Sequence, residues 1–319
     1  ADAPYENMGT IQTKGWELAI DYRHTFKNGL HFGVTASVAD DKTEVTKWTY
    51  NTKIPSYGAT GWWDKSAYKE GMVLGDIWGL QFDRFLTEDD FNADGSLKAV
   101  LPDQTKVFPA GYQFAPGDVL YKDLDNNGEI VKQTNTNDKG DLSVIGNALP
   151  RLQFGLNLDA AWKGFDISMF FQGVAKRKLW AAGNQVLPGF TTGEPFYKGA
   201  EDYWTPENTD AFYPRPMDYK QSASGNYSVN DRYLLNMAYL RLKTFTVGYS
   251  LPKVWLSKFK VQGLRVYFTG ENLFTIDGVK PAIDPEIGIR TASGKSDQRN
   301  FGRSYPYQKT VSFGIQLSL

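Results

Sequence analysis

The chain has 319 residues, with 35 basic and 36 acidic side chains and a net charge near zero, so nothing electrostatic points to a nucleic-acid partner. It has no cysteine and only two histidines, His24 and His31; disulfide frameworks and thiolate chemistry are excluded, and a histidine zinc cluster or histidine triad lacks parts. Aromatic residues make up 15% of the chain and mean hydropathy is −0.45, which argues against spanning helices but not against a barrel, whose strands show lipid only half their residues.

No window reaches the roughly 18 apolar residues of a spanning helix, and the first residues show no charged-then-apolar leader. Instead, Gly15 to His24 alternates, with Trp16, Leu18, Ile20 and Tyr22 on one side and Glu17, Ala19, Asp21 and Arg23 on the other. Lys27-Asn28-Gly29 is a turn signal, followed by Leu30, Phe32, Val34, Ala36 and Val38 alternating with His31, Gly33, Thr35 and Ser37. This is a hairpin with a short turn. From about residue 40 to 150 the alternation lapses into Gly-, Pro-, Asp- and Thr-rich sequence with aromatic clusters such as Trp62 and Trp63, and connections of that length are usually functional. A second hairpin places Leu152, Phe154, Leu156, Leu158 and Trp162 before a turn at Lys163-Gly164 and Phe165, Ile167, Met169 and Phe171 after it. A second long stretch runs to about Met237.

A third pair spans Tyr239–Leu251 and Leu264–Phe274. Phe245, Val247, Tyr249 and Leu251 share a face, whereas Leu240 and Leu242 fall in the opposite phase, which marks a bulge or emergence from the membrane. Lys253 to Lys260 is a short amphipathic connector, and a third long stretch, about 276 to 306, precedes the last strand. There Val311, Phe313, Ile315, Leu317 and Leu319 alternate with Gln308, Thr310, Ser312, Gly314, Gln316 and Ser318. The connections therefore run short, long, short, long, short, long, the rhythm of a transmembrane barrel with tight periplasmic turns and long extracellular loops. The expected strands are about 14–26, 29–40, 151–162, 164–175, 239–251, 264–275 and 307–319. Seven is odd, and unpaired edges in lipid cost several kcal/mol per group, so the chain is expected to be part of a larger barrel.

In order and spacing, the residues resemble the C-terminal part of the SusC/RagA-type TonB-dependent transporters of the Bacteroidetes outer membrane. The resemblance rests on Gly15-Trp16-Glu17-Leu18, Pro116-Gly117-Asp118 with Tyr121, Asp123 and Asn127-Gly128, and Ile145-Gly146-Asn147 with Leu149-Pro150. It continues through Lys163-Gly164-Phe165-Asp166, Phe171-Gln172-Gly173, Trp204-Thr205-Pro206-Glu207-Asn208, Tyr213-Pro214-Arg215 and Tyr239 to Lys243. Gly248-Tyr249, Leu251-Pro252, Gly270-Glu271-Asn272-Leu273-Phe274 and Tyr305-Pro306 complete it. The resemblance implies an all-β fold, the last seven antiparallel strands of a large, about 22-stranded transmembrane β-barrel, with the plug domain and the TonB-contacting segment absent from this chain. It also implies a SusD-like lipoprotein lid, energisation by TonB, and import of oligosaccharides or oligopeptides across the bacterial outer membrane by a non-enzymatic protein. Gly314-x-x-Leu317-x-Leu319 resembles the barrel-assembly signal, departing from it by ending in Leu.

Two groups of residues stand out as candidate sites. Asp123-Leu124-Asp125-Asn126-Asn127-Gly128-Glu129-Ile130 has the oxygen spacing and glycine of the first half of a calcium loop, with Asp123, Asp125, Asn127 and the carbonyl of Glu129 as ligands. Thr134 stands where a closing acid belongs, so Asp138 or Asp141 would have to substitute; the alternative is an Asx-rich turn without metal. In the second long connection Trp180, Phe196, Tyr197, Tyr203 and Trp204, with Phe190, can contact substrate or lid, or form a local core. Trp16, Tyr22, Trp162, Tyr249 and Tyr307 read as interfacial girdle residues. The acids of Glu88-Asp89-Asp90 and Glu201-Asp202 have no cleft-spanning partner, which leaves no glycosidase pair. The rival readings are a soluble carbohydrate-binding β-sandwich and a barrel adhesin or enzyme.

Overall fold

The computed structural model describes residues 7, 9–49, 70–132, 139–181, 183, 185–190, 196–217, 225–257, 261–280, 283–286, 291–292, 295–296 and 305–318. Trp62, Trp63, Thr134, Asp138, residues 258–260 of the connector and Leu319 lie outside them. One antiparallel sheet holds seven strands in chain order: β1 (Gly9–Thr25), β2 (His31–Trp48), β3 (Arg151–Trp162), β4 (Phe165–Lys176), β5 (Tyr239–Ser250), β6 (Gly263–Asp277) and β7 (Thr310–Ser318). β1 and β2 are 17 and 18 residues long, well beyond the roughly 9–11 that cross a bilayer. Their pairing outlasts the apolar row, joining Gln12 to Glu44 and Lys14 to Lys42, so polar side chains carry the hairpin past the hydrocarbon.

Local chemistry sets the short turns. Lys163 (φ 48°) and Gly164 (φ 88°) both adopt left-handed backbone, as a two-residue hairpin turn matched to strand twist requires. At the first turn Gly29 donates to the Phe26 carbonyl at 2.9 Å and Phe26 to that of Leu30 at 2.8 Å. In β5 the register shifts between Leu242 and Thr244 against both β4 and β6. Lys243 is the extra residue against β4, whereas against β6 the surplus lies on β6 itself, where Asn272 (φ 51°) and Leu273 stand against Lys243. This bulge reconciles the two phases of β5, keeping Leu242 and Phe245 on one face.

That face has no covering layer among the described residues. Phe313 is 83% and Ile315 72% exposed, and Trp16, Leu18, Ile20, Tyr22, Phe165 and Val311 are exposed as well. Phe154 and Leu156 are half-buried; the Phe154 ring lies across Gly173, along the sheet. A sandwich would bury this row beneath a second sheet, so the β-sandwich alternative fails. The opposite face is polar: Arg265 reaches across Gly248 to Asp166 at 3.0 Å, Thr35 donates to Asp21 at 2.6 Å, and His31 lies 3.6 Å from Asp159.

The buried core sits elsewhere. Two hydrophobic clusters, one around Trp180, Tyr233, Leu187 and Met237 and one around Leu80, Val119, Tyr121 and Ile130, are built wholly from the connections between strands. Short strands organise them: Asp76–Gly79 pairs with Ser143–Asn147, Phe82–Phe85 with Val119–Tyr121, and Lys178–Leu179 with Leu235–Asn236. Apolar residues interior to this chain thus gather above the strands rather than behind them.

Candidate functional site in the long connections

The first and second long connections are locked together at Asp118, whose side chain is fully buried. Its carboxylate accepts from the Tyr112 hydroxyl at 2.9 Å, the Ala115 N–H at 2.9 Å, Arg215 Nε at 2.8 Å and Asn226 Nδ2 at 2.9 Å. A buried carboxylate with this many donors is compensated. Burial first, and then the Asp118 charge, push the Tyr112 hydroxyl above its ordinary pKa, so it stays a donor. Gly117 precedes Asp118 with φ 89°, and a Cβ there would fall 2.4 Å from the Trp204 ring. Its carbonyl accepts from Arg215 N–H at 3.0 Å. Pro116-Gly117-Asp118 and Tyr213-Pro214-Arg215, almost a hundred residues apart in sequence, are therefore two halves of one clasp.

The aromatic candidates separate on this platform. Phe196, 59% exposed, joins Tyr197 and Tyr203 in lining a cleft of about 660 Å³ with Pro188, Pro216 and Tyr227, a volume typical of ligand sites. Lys198 and Glu201 stand at the same cleft; Lys198 was not singled out from the sequence, and Glu201 only as one of a pair of acids without a partner. Trp180 is 0% and Trp204 7% exposed; each belongs to a core cluster, as does Phe190. Trp180 and Trp204 are thus corrected from substrate or lid contacts to packing residues, because the platform needs large side chains of its own. The Tyr307 ring lies 5.2 Å from the Arg241 guanidinium and 4.8 Å from Lys243 Nζ.

In the acidic loop, carboxylate oxygens of Asp123, Asp125 and Asp141 lie within 4.8 Å of one another. Gly128 (φ 86°) makes the bend, with its N–H donating to Asp123 at 2.8 Å. Asp141, fully buried, accepts from Leu124 N–H at 2.7 Å and Val131 N–H at 2.8 Å. It supplies the third acid in the position expected of a distant substitute. Desolvation, followed by the nearby Asp141 and Asp123, raises the Asp125 pKa. For Asp123 desolvation acts upward too, but the N–H groups of Gly128, Asn126 and Asn127 together bring it below the ordinary value. Asn127 donates to Asp125 at 3.0 Å while its side-chain oxygen accepts from Glu129 N–H at 2.8 Å, and the Glu129 carboxylate pairs with Lys106. Three converging carboxylates fit a hard cation, while Asn127 turns its side-chain nitrogen toward them.

These parts define a class: a segment of β-barrel wall, with two open edges, whose long connections pack into a platform carrying the cleft. No family model matches the chain. Its sequence is 26% identical to TonB-dependent receptor P3 of Formosa agariphila and 25% identical to TonB-dependent receptor SusC of Bacteroides thetaiotaomicron, in both cases over 98% of this chain, covering 29% and 27% of those proteins. Among solved structures, it superposes on the RagAB peptide transporter with a TM-score of 0.63 at 19% identity, over 98% of this chain and 30% of that one. On the RagAB peptide importer in its closed-closed state the TM-score is 0.61 at 17% identity, over 98% and 30%. The chain is a barrel segment similar in sequence to these TonB-dependent receptors, and it spans less than a third of the curated relatives it matches. Those relatives are named as receptors, not as enzymes.

Proposed function

We propose that this chain forms the C-terminal wall and extracellular platform of an energy-coupled importer in the bacterial outer membrane, taking up oligosaccharides or oligopeptides with a SusD-like surface lipoprotein and with TonB acting through the remainder of the protein. The observation that carries this reading is the division of the molecule into a sheet with an uncovered apolar face and connections that hold the only core clusters among the described residues. Lipid and further strands would cover the first, whereas the second is a rigid surface turned toward incoming cargo. Phe196, Tyr197 and Tyr203 contact cargo or lid at the cleft, and stacking on their faces suits either sugar rings or peptide side chains. Asp123, Asp125, Asp141 and Asn127, with the Glu129 carbonyl, hold a calcium ion that stiffens the 123–130 turn. The test is purification of the whole receptor from native membranes. Recovery of a lipoprotein partner and a bound oligomer is expected; a detergent-independent protein with neither would overturn the reading.

A further inference from the structure

A second cleft, of about 490 Å³, opens where β4 runs into the platform, lined by Asp40, Asn147, Arg151, Lys176, Arg177 and Lys178 among others. Four basic residues and one acid are among its lining. Asp40 is already committed, accepting from Arg151 Nε at 2.5 Å and Nη2 at 2.7 Å and from Leu152 N–H at 3.0 Å. Lys176 and Lys178 make no ion pair among the described residues, and the stem of Lys178 packs over Gly146, where an added Cβ would lie 2.8 Å away. Among the described residues, the half-buried Arg177 side chain donates only to carbonyls, those of Ala148 at 3.3 Å and Pro285 at 3.4 Å. Burial lowers its pKa, with the Tyr239 hydroxyl acting weakly against that. A guanidinium taken from water without an acidic partner is destabilising unless an anion arrives from outside.

We propose that this cleft binds a multiply charged oxyanion, a phosphate monoester carried by a larger molecule. With Asp40 neutralising Arg151, three cations remain at the lining. That surplus matches a dianion better than a single carboxylate, and Arg177 offers a planar fork to two of its oxygens. The group can come from a lipid headgroup, since the cleft adjoins the strand ends, or from a soluble acidic molecule.

The test uses the full-length receptor in phosphatidylcholine nanodiscs, titrated calorimetrically with inorganic phosphate and with sulfate. Binding is expected in the wild type, weakened about tenfold or more in the Lys176→Gln/Lys178→Gln double variant through loss of charge-assisted hydrogen bonds, and retained in Lys176→Arg/Lys178→Arg. Asp40→Asn releases Arg151 and should tighten it. Repeating the titration with phosphatidic acid, whose headgroup is a phosphate monoester, in the nanodisc separates the sources: loss of phosphate binding assigns the site to a headgroup, and unchanged binding to a soluble group. Binding that is absent from the wild type, or the same in the glutamine variant, overturns the proposal.

Discussion

Replacing Ile315 with arginine tests what covers the apolar face. Ile315 lies next to the middle residue of β7, opposite Val266, and Ser312 points the other way beside Thr269. Arginine on the lipid side near the bilayer centre costs about 2–4 kcal/mol. Ile315 is 72% exposed in this chain, so most of the roughly 1.5–3 kcal/mol for burying an isoleucine is gained against lipid and lost with it. The expected loss is about 3–6 kcal/mol for Ile315→Arg and within about 0.5 kcal/mol for Ser312→Arg, the range of ordinary surface changes. The assay is equilibrium guanidinium unfolding of the full-length receptor in phosphatidylcholine vesicles, followed by tryptophan fluorescence. If the two variants lose the same stability, or neither does, hydrocarbon is not what faces Ile315.

At the aromatic cleft, Tyr203→Ala and Phe196→Ala should each weaken cargo binding about two- to tenfold by calorimetry, the range of one stacking contact. Trp180→Ala should instead lower the amount of folded receptor, at about 3–5 kcal/mol, leaving affinity per folded molecule unchanged. In the acidic loop, Asp125→Asn should abolish calcium-dependent protection of the 123–130 turn from proteolysis. Because the Asp125 pKa is raised, protons should begin to displace the ion above the ordinary aspartate range. Asp90, held by Arg84 at 2.6 and 2.7 Å, has a lowered pKa chiefly through that pairing. A carboxylate with a depressed folded pKa contributes stability that is complete above its unfolded value and is lost as pH falls through the folded one. Pepsin cutting near 86–91 should therefore rise from about pH 4 downward, and Asp90→Asn should remove that pH dependence.

The sheet was legible because each strand repeats one message: apolar every second residue, polar between. Even the bulge shows in the sequence, since Leu242 and Phe245 share a face only if one residue between them is surplus. The upper parts of β1 and β2 gave no such signal: β1 is exposed on both faces there, and Val45 of β2 is buried by the 71–74 segment of the first connection, a partner that alternation does not announce. The platform was harder to read, because burial in it depends on partners far along the chain. Tyr203 and Trp204 are neighbours with opposite fates: the bridge from Tyr203 to Tyr213 turns one ring toward the cleft and the next into the core. Trp180 follows Leu179, which pairs with Leu235, and nothing local to Trp180 announces that contact. Asp141 could be named only as one of two substitutes for Thr134, since the hydrogen bond from its N–H to the Val131 carbonyl is what returns it to Asp123.

The platform is joined to the wall as firmly as its two halves are joined to each other. Arg241, buried in β5, pairs with Asp284 at 2.6 Å and with Glu286, which also accepts from Lys243 at 3.0 Å and from the Tyr239 hydroxyl at 2.9 Å. Asp284 in turn accepts the Tyr307 N–H at 3.0 Å, so residues 283–286 are tied to β5 and to the approach of β7 together. Removing one partner from a buried set like this costs about 3–5 kcal/mol. The inserted Lys243 matters here: with Arg241 beside it, two cations converge on Glu286, so the irregularity that preserves the apolar face also builds the anchor. On the proposed function, a cleft carried on connections clasped at Asp118 and anchored at Arg241 keeps a fixed position over the barrel wall. Motion that admits or releases cargo then leaves these two joints intact.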